Sequence, residues 1–254
     1  MKQLFLAFAL CALAASPLAA ETERVSRTVT LSPGGTLYLK SFPGRINITA
    51  ADGDQVVVEA VRRASRDRLD HIRLDIRTEP DAVRIDANKK DPSSWWFANN
   101  NVVETDFDIK VPRRTNIDVK VFSAPVTVDG VEGRYNVSGF SSRVTLLNIT
   151  GPVKAHTFSG RVEIQAKNWQ ADQDIDVDTF SGDVTLRVPE SAAGLISFNS
   201  FSGFLNSEVP LVFRNGRRSN LKAELGAQAE RGASTSSRGN LRFKTFSGSV
   251  RIDR

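Results

Sequence analysis

Cysteine is nearly absent from this chain: the one thiol is Cys11, inside an apolar run at the N-terminus. If that run is removed on export, as read below, no disulfide and no thiolate chemistry remains. Histidine is almost as scarce. Only His71 and His156 occur in 254 residues, and neither has a metal-ligand spacing to the other or to the cysteine. His71 follows Asp70 in a charged segment and His156 falls on the polar parity of a strand, so both read as surface residues. No Gly-x-Ser-x-Gly elbow, phosphate loop or dinucleotide glycine fingerprint stands in its required strand-helix setting. After residue 20 no stretch approaches the roughly 18 apolar residues of a membrane-spanning helix.

The start of the chain has the marks of an export signal. Lys2 precedes an apolar run from Leu4 to Ala15, and Ser16-Pro17-Leu18-Ala19-Ala20 leads into the charged Glu21. Residues 1–20 are therefore expected to be a signal peptide, with the remainder in the periplasm, at the cell surface or secreted. Cys11 follows Leu10, where a lipoprotein signal would have a small residue, so no lipid anchor is expected. The formal charge of +5 falls to +4 without Lys2. A mildly basic, mixed-sign exported protein suits anionic envelope polymers or lipid headgroups as partners, and makes nucleic acid an unsuitable one.

What the chain has in abundance is one unit, Thr157-Phe158-Ser159-Gly160-Arg161-Val162-Glu163-Ile164, and its variants. Copies centre on Phe42, Phe122, Phe140, Phe158, Phe180, Phe201 and Phe246, with successive spacings of 18, 18, 22 and 21 from Phe122 to Phe201. Three residues before each Phe stands an apolar residue, such as Val119, Val137, Ala155 and Val177, and another stands five before. This alternation of period two makes a strand with one buried face. A Ser-Gly or Pro-Gly break and a second apolar pair follow in most copies, giving strand, corner, strand. One such unit cannot bury its own apolar face, but stacked copies form a continuous core. The expected fold is an all-β β-solenoid of stacked 18–22 residue coils.

Glycine at the corner (Gly44, Gly160, Gly182, Gly203, Gly248) fits a positive φ or a close approach between coils. The Phe column has two placements. The expected one turns each ring inward at the corner to fill the core. Unbroken alternation would instead leave the rings as an exposed ladder, and such a patch usually marks a contact site.

Residues 21–110 read as a β-rich part continuous with the solenoid, and residues 111–254 as the repeats, with an irregular insertion near 210–239. The first part holds strands at Leu37–Leu39, Arg45–Thr49, Gln55–Val61, Ile72–Arg77 and Ala82–Ala87, the last two joined by a turn at Glu79-Pro80-Asp81. Arg62–Arg68 is expected as a solvated charged loop. Trp95, Trp96 and Phe97 form an aromatic cluster in a Ser/Asn/Pro loop, able to cover a sheet edge or to contact a ligand. The last copy ends the chain, and its outward charges are expected to protect an open sheet edge.

The β-rich exported start, the strand Phe107-Asp108-Ile109-Lys110-Val111-Pro112, the repeated units and the terminal Thr-Phe-Ser-Gly-Ser-Val-Arg-Ile together resemble the bacterial putative-adhesin β-solenoid family. The resemblance covers roughly Val29 to Arg254. It implies an envelope or cell-surface location, no cofactor and no established active site. Phe at the corner departs from that family, where the position is often polar.

Among reactive groups the best cluster is acidic. Asp174, Asp176 and Asp178 share one strand face, where carboxylates could hold Ca²⁺ or serve a glycosidase, but Lys154 in a neighbouring coil can neutralise them. The expectation is therefore a non-enzymatic envelope or surface protein with no cofactor, presenting a rigid face to an envelope protein or an anionic or glycan polymer, with peripheral membrane contact an option. The contact residues expected are Trp95, Trp96, Phe97, Phe140, Phe158, Phe180, Arg217 and Arg218. An envelope scaffold or stress-related interaction module is the alternative, and a polysaccharide-acting enzyme the second.

Overall fold

The computed structural model describes residues 20–90, 102–169, 173–217, 220–226 and 239–254. The signal-like residues 1–19 and the Trp95/Trp96/Phe97 cluster lie outside them. Alternating sequence becomes strand throughout the N-terminal part: β1 (Glu21–Thr30), β2 (Thr36–Pro43), β3 (Ile46–Ala51), β4 (Gln55–Ala64), the short helix α1 (Arg66–His71), β5 (Ile72–Glu79), β6 (Ala82–Lys90) and β7 (Glu104–Pro112). Each repeat then gives a strand on either side of its corner. These are β8 (Asn116–Ser123) with β9 (Val126–Asp129), β10 (Tyr135–Gly139) with β11 (Val144–Ile149), and β12 (Val153–Ser159) with β13 (Val162–Ala166). β14 (Ile175–Ser181) with β15 (Val184–Arg187) and β16 (Gly194–Ser200) with β17 (Leu205–Ser207) continue the series. A hairpin, β18 (Leu211–Arg217) and β19 (Asn220–Leu225), precedes the final pair, β20 (Gly239–Thr245) and β21 (Val250–Asp253).

The strands form two large mixed sheets. One has 10 strands in the order β1-β4-β7-β3-β9-β11-β13-β15-β21-β17, the other 11 in the order β18-β19-β16-β20-β14-β12-β10-β8-β2-β6-β5. Within the repeats the pairing is parallel and in register, so that equivalent positions stack: Val119, Val137, Ala155, Val177, Phe243 and Phe198 form one inner row. All six are buried, and inner residues of the facing sheet such as Val144, Ile164 and Leu186 close over them. Removing this apolar surface from water is the main force holding the sheets together.

The corners work by close approach. A Cβ on Gly182 would stand 1.9 Å from the Gly160 carbonyl oxygen, and one on Gly248 2.0 Å from that of Gly182. Hydroxyls on the inner side tie the same turns: the Gly248 amide donates to Thr245 Oγ1 at 2.6 Å and the Gly203 amide to Ser200 Oγ at 2.7 Å.

The C-terminal copy departs from expectation. β20 and β21 do not form an end of the stack; they lie between β14/β15 and β16/β17, with parallel neighbours on both sides in each sheet. The expected protected edge is therefore interior. The insertion that precedes it supplies the outer hairpin, β19 pairing antiparallel with β16 and β18 with β19.

The Arg62–Arg68 segment also differs from the expected loop. Arg62 and Arg63 continue β4, and residues 66–71 form α1. Arg62 falls on the inner parity, 3% exposed, where its guanidinium pairs with Glu23 of β1 and donates to the Ile72 carbonyl. A buried cation is tolerable only with such partners.

Candidate functional site

Alternation runs through the corner Phe instead of stopping before it. In β12, Val153, Ala155 and Thr157 point inward while Lys154, His156 and Phe158 point out, and the chain turns only afterwards at Gly160. The inward placement expected for the Phe column is therefore wrong. The corner sits two residues later than that reading assumed, so the rings keep the outer parity. Phe42, Phe122, Phe140, Phe158, Phe180 and Phe246 are 41–48% exposed and Phe201 is 76% exposed.

These seven rings form one continuous stack. Its order is Phe42, Phe122, Phe140, Phe158, Phe180, Phe246, Phe201, with centroid spacings of 4.8–5.0 Å and interplanar angles of 1–8°. The spacing is that of neighbouring strands, so the backbone ladder sets the aromatic one. It extends for about 30 Å at that strand repeat. Because each inner ring is covered on both faces by its neighbours, the solvent meets C–H edges. The terminal ring Phe201 has a face to offer, which agrees with its greater exposure, whereas Phe42 at the other end is the least exposed of the seven.

Polar rows run beside the ladder. On the corner side, Ser123, Ser141 and Ser159 border Arg143 and Arg161 in a shallow depression. On the strand side an open cleft of about 700 Å³ includes Phe158, Phe180, Phe246 and Phe201 together with His156, Asp178 and Lys244. Further along the same outer face, a second cleft of about 480 Å³ is lined by Tyr38, Asp118, Arg134, Asn136, Lys154 and Asp176. Beyond it, Lys89 and Arg77 converge on Asp75 at 2.9 and 2.7 Å, and the Lys89 hydrogen bond holds that carboxyl below the usual carboxylate range.

The acidic row is neutralised by the inserted strand. Asp174 accepts the Asn240 backbone and side-chain amides at 3.0 Å, Asp176 stands 3.6 Å from Arg242, and Asp178 is 3.7 Å from Lys244 and 3.8 Å from His156. Among the described residues no three His, Cys, Asp or Glu side chains converge as a metal would require. His71 and His156 both lie at the surface, with side chains 39% and 62% exposed.

Phe140, Phe158 and Phe180, expected as contact residues, thus come together in the middle of the ladder. Trp95, Trp96, Phe97 and Arg218 lie outside the described residues, and Arg217 ends β18. Sequence reasoning missed the row three residues after the Phe, where Arg45, Arg143 and Arg161 recur and are exposed. It also missed Phe204 and Phe213, 64% and 63% exposed near the β16–β18 end. The arginine row was legible in the repeat, and so was Phe204, which occupies the same position three after Phe201; Phe213 falls outside it.

Fold and face together define an all-β, two-sheet repeat protein with a solvent-facing aromatic column. No family model matches the chain, and no curated protein matches it. Among solved structures it is similar to a "putative cell adhesion protein" from Clostridium sporogenes ATCC 15579, with TM-score 0.53, 14% identity, and coverage of 91% of this chain and 99% of that one. It also matches a "putative adhesin" from Bacteroides fragilis NCTC 9343 at TM-score 0.41 and 12% identity, covering 91% and 97% of the two chains. A "putative lipid binding protein" from Parabacteroides distasonis ATCC 8503 follows at TM-score 0.36 and 10% identity, again covering 91% and 97%. The first likeness is one of fold alone, and the scores of the other two are too low to bear on this chain.

Proposed function

We propose that this chain is an exported, non-enzymatic envelope or surface protein, a β-solenoid whose rigid outer face binds a partner in the manner of an adhesin. The observation that carries the reading is the ladder of seven exposed, mutually stacked phenylalanines. Six of the rings keep about half their surface in water and Phe201 about three quarters, a state that an apolar side chain leaves by contact with something else. The parallel, in-register repeats support the solenoid reading, and by holding the rings at a fixed spacing they limit the side-chain freedom lost on binding. The neutralised acidic row supports a binding role over catalysis, since each carboxylate beside the ladder already has a partner.

The test is retention of the purified chain on envelope material from the source cell, compared with the triple variant Phe140→Ser/Phe158→Ser/Phe180→Ser. Retention is expected to fall at least tenfold, with the far-UV circular dichroism of the variant unchanged. Equal retention of a folded variant would refute the reading.

A further inference from the structure

The stacking that builds the ladder also restricts what it can hold. Sugars and bases bind aromatic side chains through ring faces, and here the faces of the five inner rings are occupied by other rings. What remains is a straight apolar ridge of ring edges. It is also translationally degenerate: a partner shifted by one strand spacing of 4.8–5.0 Å would meet the same surface. A stereospecific protein contact gains nothing from that property, whereas a fluid layer does not need a unique register.

The charges beside the ridge carry the argument further. Three residues after Phe42, Phe140 and Phe158 stand Arg45, Arg143 and Arg161, and Lys120 stands two before Phe122; all four are exposed, and none forms an ion pair among the described residues. Two carboxylates occupy equivalent positions, and both are engaged. Asp178 lies 3.7 Å from Lys244, and Asp183 accepts the Ser249 amide at 2.9 Å. Three free arginines thus border the ridge on its corner side and one free lysine, Lys120, on its strand side, where Lys40 pairs with Asp86 at 3.8 Å. Two copies laid ladder on ladder with the ladders antiparallel would set the arginine row against itself, which argues against that mode of self-association through this face.

We infer that the phenylalanine ladder is a membrane-contact ridge, its ring edges seated at the headgroup and acyl-chain boundary of an anionic lipid surface while Arg45, Lys120, Arg143 and Arg161 meet lipid phosphates. This combination of an apolar stripe with flanking cations is the general requirement for peripheral binding to anionic bilayers. The inference rests on the binding-face reading above and names its partner.

The experiment is co-sedimentation of the full chain with vesicles of phosphatidylcholine alone and of equimolar phosphatidylcholine and phosphatidylglycerol. Binding is expected to the anionic vesicles and to weaken as salt is raised. The triple variant Phe140→Ser/Phe158→Ser/Phe180→Ser should lose at least tenfold in partitioning. Arg143→Gln/Arg161→Gln, which touches only exposed groups, should lose roughly tenfold and flatten the salt dependence. A chain that stays in the supernatant with both vesicles, or a folded triple variant that sediments as well as the parent, overturns the inference. If vesicles are ignored while ladder substitution still releases envelope material, the ridge serves a protein or polymer: the lipid assignment falls and the binding face stands. If the triple variant changes neither, both fall.

Discussion

The regular run β8–β15 and the C-terminal part β16–β21 are built from the same unit, yet they are assembled differently. In the regular run, chain neighbours are spatial neighbours, each repeat stacking on the one before it. In the C-terminal part the last repeat enters between two earlier ones, and the chain reaches that place only after adding the β18–β19 hairpin outside. Inner row, corner and ladder nevertheless continue unbroken through both. The lesson is that the unit encodes how neighbours fit and leaves open which neighbours they are.

Removing the final repeat would break that continuity most severely. Truncation after Arg238 takes an interior strand from both sheets, and a chain so shortened is expected to lose its cooperative thermal transition. An end repeat would instead be lost with a modest drop in melting temperature. Next in size is Phe243→Ala, which empties a buried position in the inserted strand and should cost about 3–5 kcal/mol in denaturant titration. Its outer counterpart Phe246→Ala should cost only about 2 kcal/mol, the scale of two aromatic stacking contacts, with Phe180 and Phe201.

Corner substitutions sharpen the comparison, because Gly182 lies against Gly160 and Gly248 against Gly182. Gly182→Ala and Gly248→Ala should each destabilise by about 3 kcal/mol, the upper range for overpacking, and by similar amounts. A large difference between them would show that insertion relaxes the corner. The smallest effect belongs to Asp178→Asn, expected below about 1 kcal/mol because its partners Lys244 and His156 are mostly exposed.

Much of this was legible in the sequence. Period-two alternation located β2 to β7 and the repeat strands, and the Pro-containing turn joined β5 to β6. Alternation also specified the outward Phe; the opposite expectation came from assuming that the corner begins at the ring, when it begins at the glycine. The position of the last repeat was not legible, since Thr245-Phe246-Ser247-Gly248 offers a neighbour nearly the same surface as Thr179-Phe180-Ser181-Gly182. Nor was the burial of Arg62, which depends on Glu23 from a distant strand. A charge run reads as solvated until its partner is placed. The acidic row was expected to be neutralised by Lys154, which stands in register beside Asp176; the ion pairs come instead from Arg242 and Lys244 of the inserted strand and from His156.

The central claim, that the ladder faces solvent along its whole length, is open to direct measurement. With 4-fluorophenylalanine incorporated throughout the chain, fluorine resonances can be assigned by single Phe→Leu variants and exposed to a soluble paramagnetic agent. The account predicts strong broadening for Phe122, Phe140, Phe158, Phe180 and Phe246, with Phe107, Phe198 and Phe243 protected. Protection of Phe140, Phe158 and Phe180 equal to that of Phe198 would contradict it and remove the basis of the binding face.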